Sequence, residues 1–588
     1  MTGPPPRPEP VRSDKEITVG GQTFPVVYRE ANRPGPVPPD LDLSQLGGLA
    51  ATAHGFIAPF NQRVFDAAAD IVCEQDVAVT LRDGTTIYCD IYRPKDSGPV
   101  PVIVSWSAYG KRPGDAMSQW VIPGVPPGTV STMAKFESAD PAYWCRIGYA
   151  VANVDPRGVG YSEGDIELFG PQDAQDGYDF VEWVASRPWC TGKVGMAGNS
   201  MVAMTQLRIA AQQPPHLAAI APWEASSDMY RDLLLEGGIP ALTFNEFIVG
   251  SLSGQGLVDD LVANALRYPL MHPYWQSKIP DFTKVTVPAY VAVGWSHIHL
   301  RGTMNAWRRI ASPDKWLRCY REHEWPVFYA RESVADLTAF FDRYLRDIHN
   351  GWELTPRVQL DVMDAYDVDY QTSRPETAFP IERTEYRRIY LDTKVRALVE
   401  DPPSASASAS YDPQTEALVF DLEFTDETEL SGYLLLHLWV EADGHDDMDL
   451  FVTVKKADAD GGLVPWSILG QPHPGAWGKM RVSHRALDPA LSTEFNPVQS
   501  HVAEEKLRPG QVVPVDIEIV ASSRVWHQGE RLRLEIAGRY IRGDWFEPLR
   551  WETDNSGRHV VHTGGDYDSY LQIPVIPPRR KVGGYLAR

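Results

Sequence analysis

The chain has 588 residues, 43% of them apolar and 23% charged, which is ordinary globular usage and excludes a disordered or fibrous protein. Its 55 basic and 78 acidic residues leave a net charge of −23, which repels phosphate backbones and argues against nucleic acid as a partner. At roughly 100–200 residues per domain, the length calls for more than one folding unit.

Residues 1–71 open with a Pro-rich stretch read as an extended arm. From about 72, VCEQDVAVT and TTIYCDIYRP read as two strands around the turn Arg82–Asp83–Gly84. The continuous apolar run Val100–Ala108 fits a strand buried on both faces, and Gly148–Gly158 and Lys193–Asn199 repeat it. Between the last two, PQDAQDGYDFVEWVASRPW has helical spacing at Tyr178, Val181, Trp183 and Val184. The alternation continues through HLAAIAPWEA, VPAYVAVGW and KWLRCYRE to a helix over 333–345. It predicts a doubly wound, mostly parallel α/β domain over 72–225 and 284–350. Residues 226–283 interrupt it with helical and turn character, an insertion expected to cap the strand ends and shape a pocket.

Beyond 351 the helical pattern gives way to short alternating strands (RVQLDVMDA, RRIYLD, ALVFDLEF, GYLLLHLWVEA, DLFVTVKKA, VVPVDIEIV, RLRLEIAG, SYLQIPVI). That spacing predicts an antiparallel β-sandwich, a jelly roll, over 351–588. Within it, DPPSASASASYDP (401–413) reads as a flexible low-complexity loop. The cluster RHVVHTGGDYDSYL (558–571) reads as sandwich packing. The five cysteines are scattered, with no CxxC pair, so neither a disulfide framework nor a zinc ribbon is expected. With no secretory h-region and no run of 18 apolar residues, the expectation is a reduced, cytoplasmic protein without a membrane partner.

The stretch GKVGMAGNSMVAMTQLRIAAQQ carries the chemistry. A strand runs into Ser200 and a helix starts at once, a strand–turn–helix geometry that lifts a serine Oγ out of the sheet. The helix N-terminus stabilises negative charge there, and the Met201 amide is a natural oxyanion donor. The motif is Gly198-Asn199-Ser200-Met201-Val202, lacking the second glycine of G-x-S-x-G. Taken alone it fits a buried helix-capping serine equally well.

Further segments resemble the CocE/NonD family of serine hydrolases, relatives of cocaine esterase and X-Pro dipeptidyl-peptidase. They are LRDGTTIYCDIYRP (81–94), SAYGK (107–111), VDPRGVGYSEGD (154–165) and DGYDFVEWVASRPWCTGKVGM (176–196), with ELSGYLLLHLWVEADGHDDMDLFVTV and LRPGQVVPVDIEIVASSRVWHQGERLRLEIAG in the C-terminal half. The resemblance implies an α/β-hydrolase domain, a helical cap and a jelly roll. It implies Ser200 as nucleophile, with the Met201 N–H and the Tyr109 hydroxyl as the oxyanion pair. It also implies no cofactor and a homo-oligomer whose number the sequence does not fix. A phenol suits the task because it donates a hydrogen bond while staying neutral at pH 7.

The pattern breaks at the other triad members. The family's acid follows a Gly-Trp-Tyr-Asp-like turn; here VPAYVAVGWSHIHLRG puts His297 in that place, and no Asp or Glu occurs from 282 to 313. The turn after KWLRCY is REHEWPVFY, so His323 is the nearest match to the family's histidine and the expected general base. Glu322, Glu324 or Asp228 could orient it. His297 reads as a stand-in for the acid, or with His299 as a pocket polar group. H-x-H also suits a metal, but no third ligand is evident and none is expected.

The leading expectation is therefore a serine hydrolase that cleaves an ester or amide of a small organic substrate through an acyl-Ser200 intermediate, with an atypical triad. Two alternatives stand beside it. One is lyase-type acid–base chemistry by pocket histidines on the same scaffold. The other is a binding protein that has lost catalysis.

Overall fold

The computed structural model describes residues 10–34, 68–112, 124–126, 128–365, 367–468, 471–473, 475–540, 551–578, 581–582 and 585–586. Strands β1 (Arg12–Val19) and β2 (Gln22–Glu30) form a hairpin about Gly20–Gly21, both at positive φ. A Gly-Gly pair is the turn such a hairpin demands. The described part of the arm is thus paired sheet rather than a lone extended chain.

The sheet that follows contains β3 (Ile71–Thr80), β4 (Thr86–Pro94), β5 (Val100–Trp106) and β6 (Ala150–Asp155). Helix α1 (Pro171–Ala185), β7 (Cys190–Asn199), helix α2 (Met201–Ala211) and β8 (Leu217–Trp223) come next. The inserted segment carries the short strand β9 (Leu257–Asp259), which pairs with β2. After it come β10 (Ala289–Gly294), α3 (Leu300–Arg309), β11 (Lys315–Tyr320), α4 (Glu324–Phe328) and α5 (Arg331–Leu345).

The pairings set the order β3-β4-β6-β5-β7-β8-β10-β11, antiparallel as far as β6 and parallel from there on. This is an α/β-hydrolase sheet. Every residue of β5, β6 and β10 is buried, as parallel strands covered on both faces must be. The core therefore lies on both sides of the sheet, and the loops at the carboxyl ends of its parallel strands open on one edge, where ligands bind in such folds.

The cap is helical apart from β9, with helices over Leu242–Val249, Leu261–Arg267 and Pro273–Ser277. Asn264 exchanges two hydrogen bonds with the Val27 backbone, so hairpin and cap are one unit. Arg301, at the start of α3, donates to Asp232 of the cap and to Glu518 of the C-terminal domain. That three-way clamp is largely buried, where charge-assisted hydrogen bonds to two carboxylates hold geometry well.

Strand β12 (Val358–Ala365) extends the hydrolase sheet parallel to β11 and leads into the β-sandwich. The long strand Thr428–Asp443 pairs with Val513–Trp526, Arg558–Thr563 and Tyr570–Ile576. The facing sheet is built from Ala417–Glu423, Arg531–Ala537, Asp449–Ala457 and Ala476–Arg481. One expectation is corrected here: Ala407–Tyr411, inside the supposed flexible loop, is a strand paired with Arg558–Thr563. Its small residues fit a sheet edge, and it is anchored by buried Tyr411, whose hydroxyl lies 3.0 Å from His559 Nδ1.

Candidate active site

Ser200 sits between β7 and α2 at φ 54°, ψ −122°, a conformation that a non-glycine residue adopts only under strain. The turn is held by its surroundings: the Ser200 N–H donates to Trp223 O at 3.1 Å, and its carbonyl accepts from Ala203 and Met204 N–H. Gly198 precedes it at φ 147°, where a Cβ would come within 2.5 Å of Val202 Cγ1 and 2.6 Å of Glu137 O. The missing second glycine of the motif, Val202, is simply buried in α2.

The serine hydroxyl faces two groups. His299 Nε2 lies 3.1 Å from Ser200 Oγ, and the Tyr109 hydroxyl lies 3.5 Å from it. Tyr109 follows β5 and is buried; burial, and then the nearby Glu137, keep its phenol protonated far above the usual range. The Met201 N–H adjoins the same hydroxyl, so both expected oxyanion donors flank the nucleophile.

The histidine beside the serine is not the one expected. His323 caps α4, and its Nδ1 lies 2.8 Å from Glu324 Oε2. The place against Ser200 is taken by His299 because the loop after β10 turns sharply into α3, with His299 as its N-cap at φ −89°, ψ 0°. Burial, and then the positive charge of His297, hold the His299 pKa well below the ordinary 6.5, so its ring is neutral at pH 7. Its Nδ1 is buried without a hydrogen-bond partner.

His297 lies between two carboxylates. Its Nδ1 is 3.1 Å from Glu224 Oε2 and its Nε2 is 2.7 Å from Glu324 Oε2. Burial alone would lower its pKa, but the two acids push it up to about 10. Glu324 shows the reciprocal effect: burial would raise it, yet His297 and His323 hold it well below the ordinary carboxylate range. Glu224, directly after β8 at φ 54°, is fixed through Oε1 by the Gly294 N–H and the Tyr320 hydroxyl, each at 2.6 Å.

The loop after β10 carries no carboxylate, and the two that reach His297 come from the neighbouring strand ends after β8 and β11. Of the proposed orienting groups, Glu324 reaches the imidazole rings of His297 and His323. Asp228 caps the turn at Tyr230 and pairs with Arg231 at 2.7 Å, while Glu322 accepts from the His323 N–H. His297, His323 and Glu324 offer ligand atoms within 4.8 Å of one another. They could hold a metal ion, but only if His297 gave up the proton that its two acids stabilise.

Two residues of the site carry no motif. Glu224 could have been suspected as a carboxylate at a strand's carboxyl end. Glu137 had no such signal. It lies at φ 57°, its carbonyl accepts the Asn199 N–H at 3.0 Å, and its Oε1 accepts the Trp325 indole N–H at 2.9 Å.

The charged state of His297 has a consequence for stability. A folded-state pKa of about 10 against an ordinary 6.5 gives a contribution fully present below pH 6.5 and lost as pH rises through 10. Thermal melts across that window should show a fall in Tm that is smaller in His297→Gln. Parallel curves for the two proteins would contradict the assigned protonation.

Residues 83–265 match the family model for X-Pro dipeptidyl-peptidase of the S15 family. Residues 350–572 match that for the X-Pro dipeptidyl-peptidase C-terminal non-catalytic domain. The chain is similar to cocaine esterase from a Rhodococcus species, 24% identical over 615 residues that cover 85% of this chain and 98% of the relative. A putative serine esterase from Mycobacterium bovis is 28% identical over 172 residues, 29% of this chain and 27% of that protein. Among solved structures, a CocE/NonD family hydrolase from Staphylococcus aureus superposes with a TM-score of 0.82 at 33% identity, covering 86% of this chain and 94% of that one. An α-amino acid ester hydrolase shares the fold at a TM-score of 0.68 and 16% identity, over 87% of this chain and 98% of the other.

Proposed function

The chain belongs to the CocE/NonD family of hydrolases, and from that premise we propose that it cleaves an ester or amide of a small organic substrate through an acyl-Ser200 intermediate, with His299 as the general base. The 3.1 Å contact between Ser200 Oγ and a neutral, buried His299 Nε2 carries the reading. An ester is the better supported class, since cocaine esterase is similar to this chain over most of its length.

In the reaction, Ser200 Oγ gives its proton to His299 Nε2 as it attacks the substrate carbonyl. The carbonyl oxygen becomes an anion held by the Tyr109 hydroxyl and the Met201 N–H. As the tetrahedral intermediate collapses, the leaving group takes the proton from His299. Water then repeats the sequence on the acyl-enzyme. Throughout, the His299 imidazolium needs a compensating negative charge. His297 carries one positive charge between the two carboxylates Glu224 and Glu324, so the cluster is net negative and supplies that charge indirectly. An indirect acid supports the imidazolium less than a direct carboxylate does, and turnover should be slow accordingly.

Labelling with a fluorophosphonate probe tests the nucleophile. Wild-type protein should be modified at Ser200, and Ser200→Ala should not react. Equal labelling of both would sink the proposal.

A further inference from the structure

Glu137 is a buried carboxyl that the mechanism above does not use. Its backbone is stitched to the nucleophile turn: Ser138 bridges Gly198, and the Glu137 carbonyl takes the Asn199 N–H. Its side chain points into the site beside Tyr109. Oε1 accepts the Trp325 indole N–H at 2.9 Å, while Oε2 is buried with no hydrogen-bond partner. A buried carboxyl oxygen left without a partner is costly, which points to a neighbouring group that it serves rather than to packing alone.

We propose that Glu137 is a positioning residue for the oxyanion hole: its protonated carboxyl donates from Oε2 to the Tyr109 oxygen and so directs the phenol O–H at the substrate oxyanion. This rests on the serine-hydrolase reading. A hydrogen bond received by the phenol oxygen strengthens the one that the phenol donates. No proton leaves Glu137 during the cycle.

The groups around Glu137 agree with a neutral carboxyl. From α4 it faces the ionised Glu324, from the loop after β10 the His297 cation, and from the end of α4 and the loop after β5 the phenols of Tyr329 and Tyr109. Burial, and then the Glu324 charge, push its pKa up to about 8 against the opposing indole bond. Once ionised, Glu137 would draw the Tyr109 O–H toward itself and place a second negative charge beside the developing oxyanion. The reaction should then slow.

The test is the rate of fluorophosphonate modification of Ser200 from about pH 6 to about pH 10, a range that spans the expected titration. The wild-type rate should decline above pH 8, the value to which Glu137 is raised. Glu137→Leu should lower the rate at neutral pH by up to about tenfold, the worth of one hydrogen bond. Glu137→Gln, which keeps a donor and cannot ionise, should recover most of that loss and abolish the decline. The same decline in Glu137→Gln would overturn the assignment. Trp325→Phe gives an independent arm: removing the donor to Oε1 should move the decline to higher pH, and an unmoved midpoint also counts against it. Wild-type protein that is not labelled at all would sink the serine-hydrolase reading and this one with it. Ser200-dependent labelling with an unaltered decline overturns the Glu137 role alone.

Discussion

Replacing His299 with alanine should lower kcat/KM for a hydrolysed ester by about 10²–10⁴-fold, the range for losing a general base, whereas His323→Ala should cost less than about tenfold. The difference follows from where the two rings sit. His299 Nε2 is 3.1 Å from Ser200 Oγ. His323 lies beyond Glu324, with its ring centroid 4.9 Å from that of His297. His323 can reach the reaction only through the charge of Glu324, an oxygen that His297 also shares at 2.7 Å. Losing one of two imidazole neighbours perturbs that carboxylate without removing it. Steady-state kinetics on phenyl acetate for both variants would settle the ranking; a larger loss for His323→Ala would reverse the roles proposed for the two rings. The pH profile should also distinguish them. With its pKa held below 6.5 by burial and by His297, the base stays neutral well into mildly acidic solution, so activity should not decline near the usual histidine value.

The contrast between these histidines shows where sequence reading succeeds and stops. The placement of Ser200, Met201 and Tyr109 side by side was legible because each position is set by a few contiguous residues at a strand end, and local chain geometry carries over directly into local structure. The sheet was legible for the same reason: fully buried parallel strands are continuous apolar runs, as in Val100–Trp106. The acid and base were not, because they depend on which of several strand-end loops points a side chain inward. His297 and His299 are two positions apart, yet one ring faces Glu224 and Glu324 and the other faces Ser200. That division comes from the sharp entry into α3, which an extended reading of H-x-H misses. Glu224 had only its place at a strand end to mark it and Glu137 had nothing, and tertiary contacts fix both: the Tyr320 hydroxyl on one, the Trp325 indole on the other. The strand Ala407–Tyr411 was hidden differently. Alternating Ser and Ala gives no apolar signal, and pairing with Arg558–Thr563 decides its conformation.

Tyr109→Phe should lower kcat by about 10²–10³-fold, or about 2.7–4 kcal/mol, the usual cost of one oxyanion donor, while KM changes little. The hydroxyl is close to the nucleophile rather than to a binding surface, 3.5 Å from Ser200 Oγ, so it bonds strongly only to the oxygen that gains charge in the transition state. The same substitution leaves the buried ring and its packing on Phe136, at 5.2 Å between centroids, in place. A loss shared equally between kcat and KM would mean that the phenol binds the ground state as well. A loss under about fivefold would mean that the Met201 N–H works with some other donor. The magnitude also bears on the unusual acid. If His299 is supported only through His297 and the net negative charge behind it, proton transfer is the weaker half of this site. Stabilisation of the oxyanion must then supply the larger share of the rate. In such an enzyme the tyrosine variant should fall closer to the histidine variant than it would where a carboxylate touches the histidine directly.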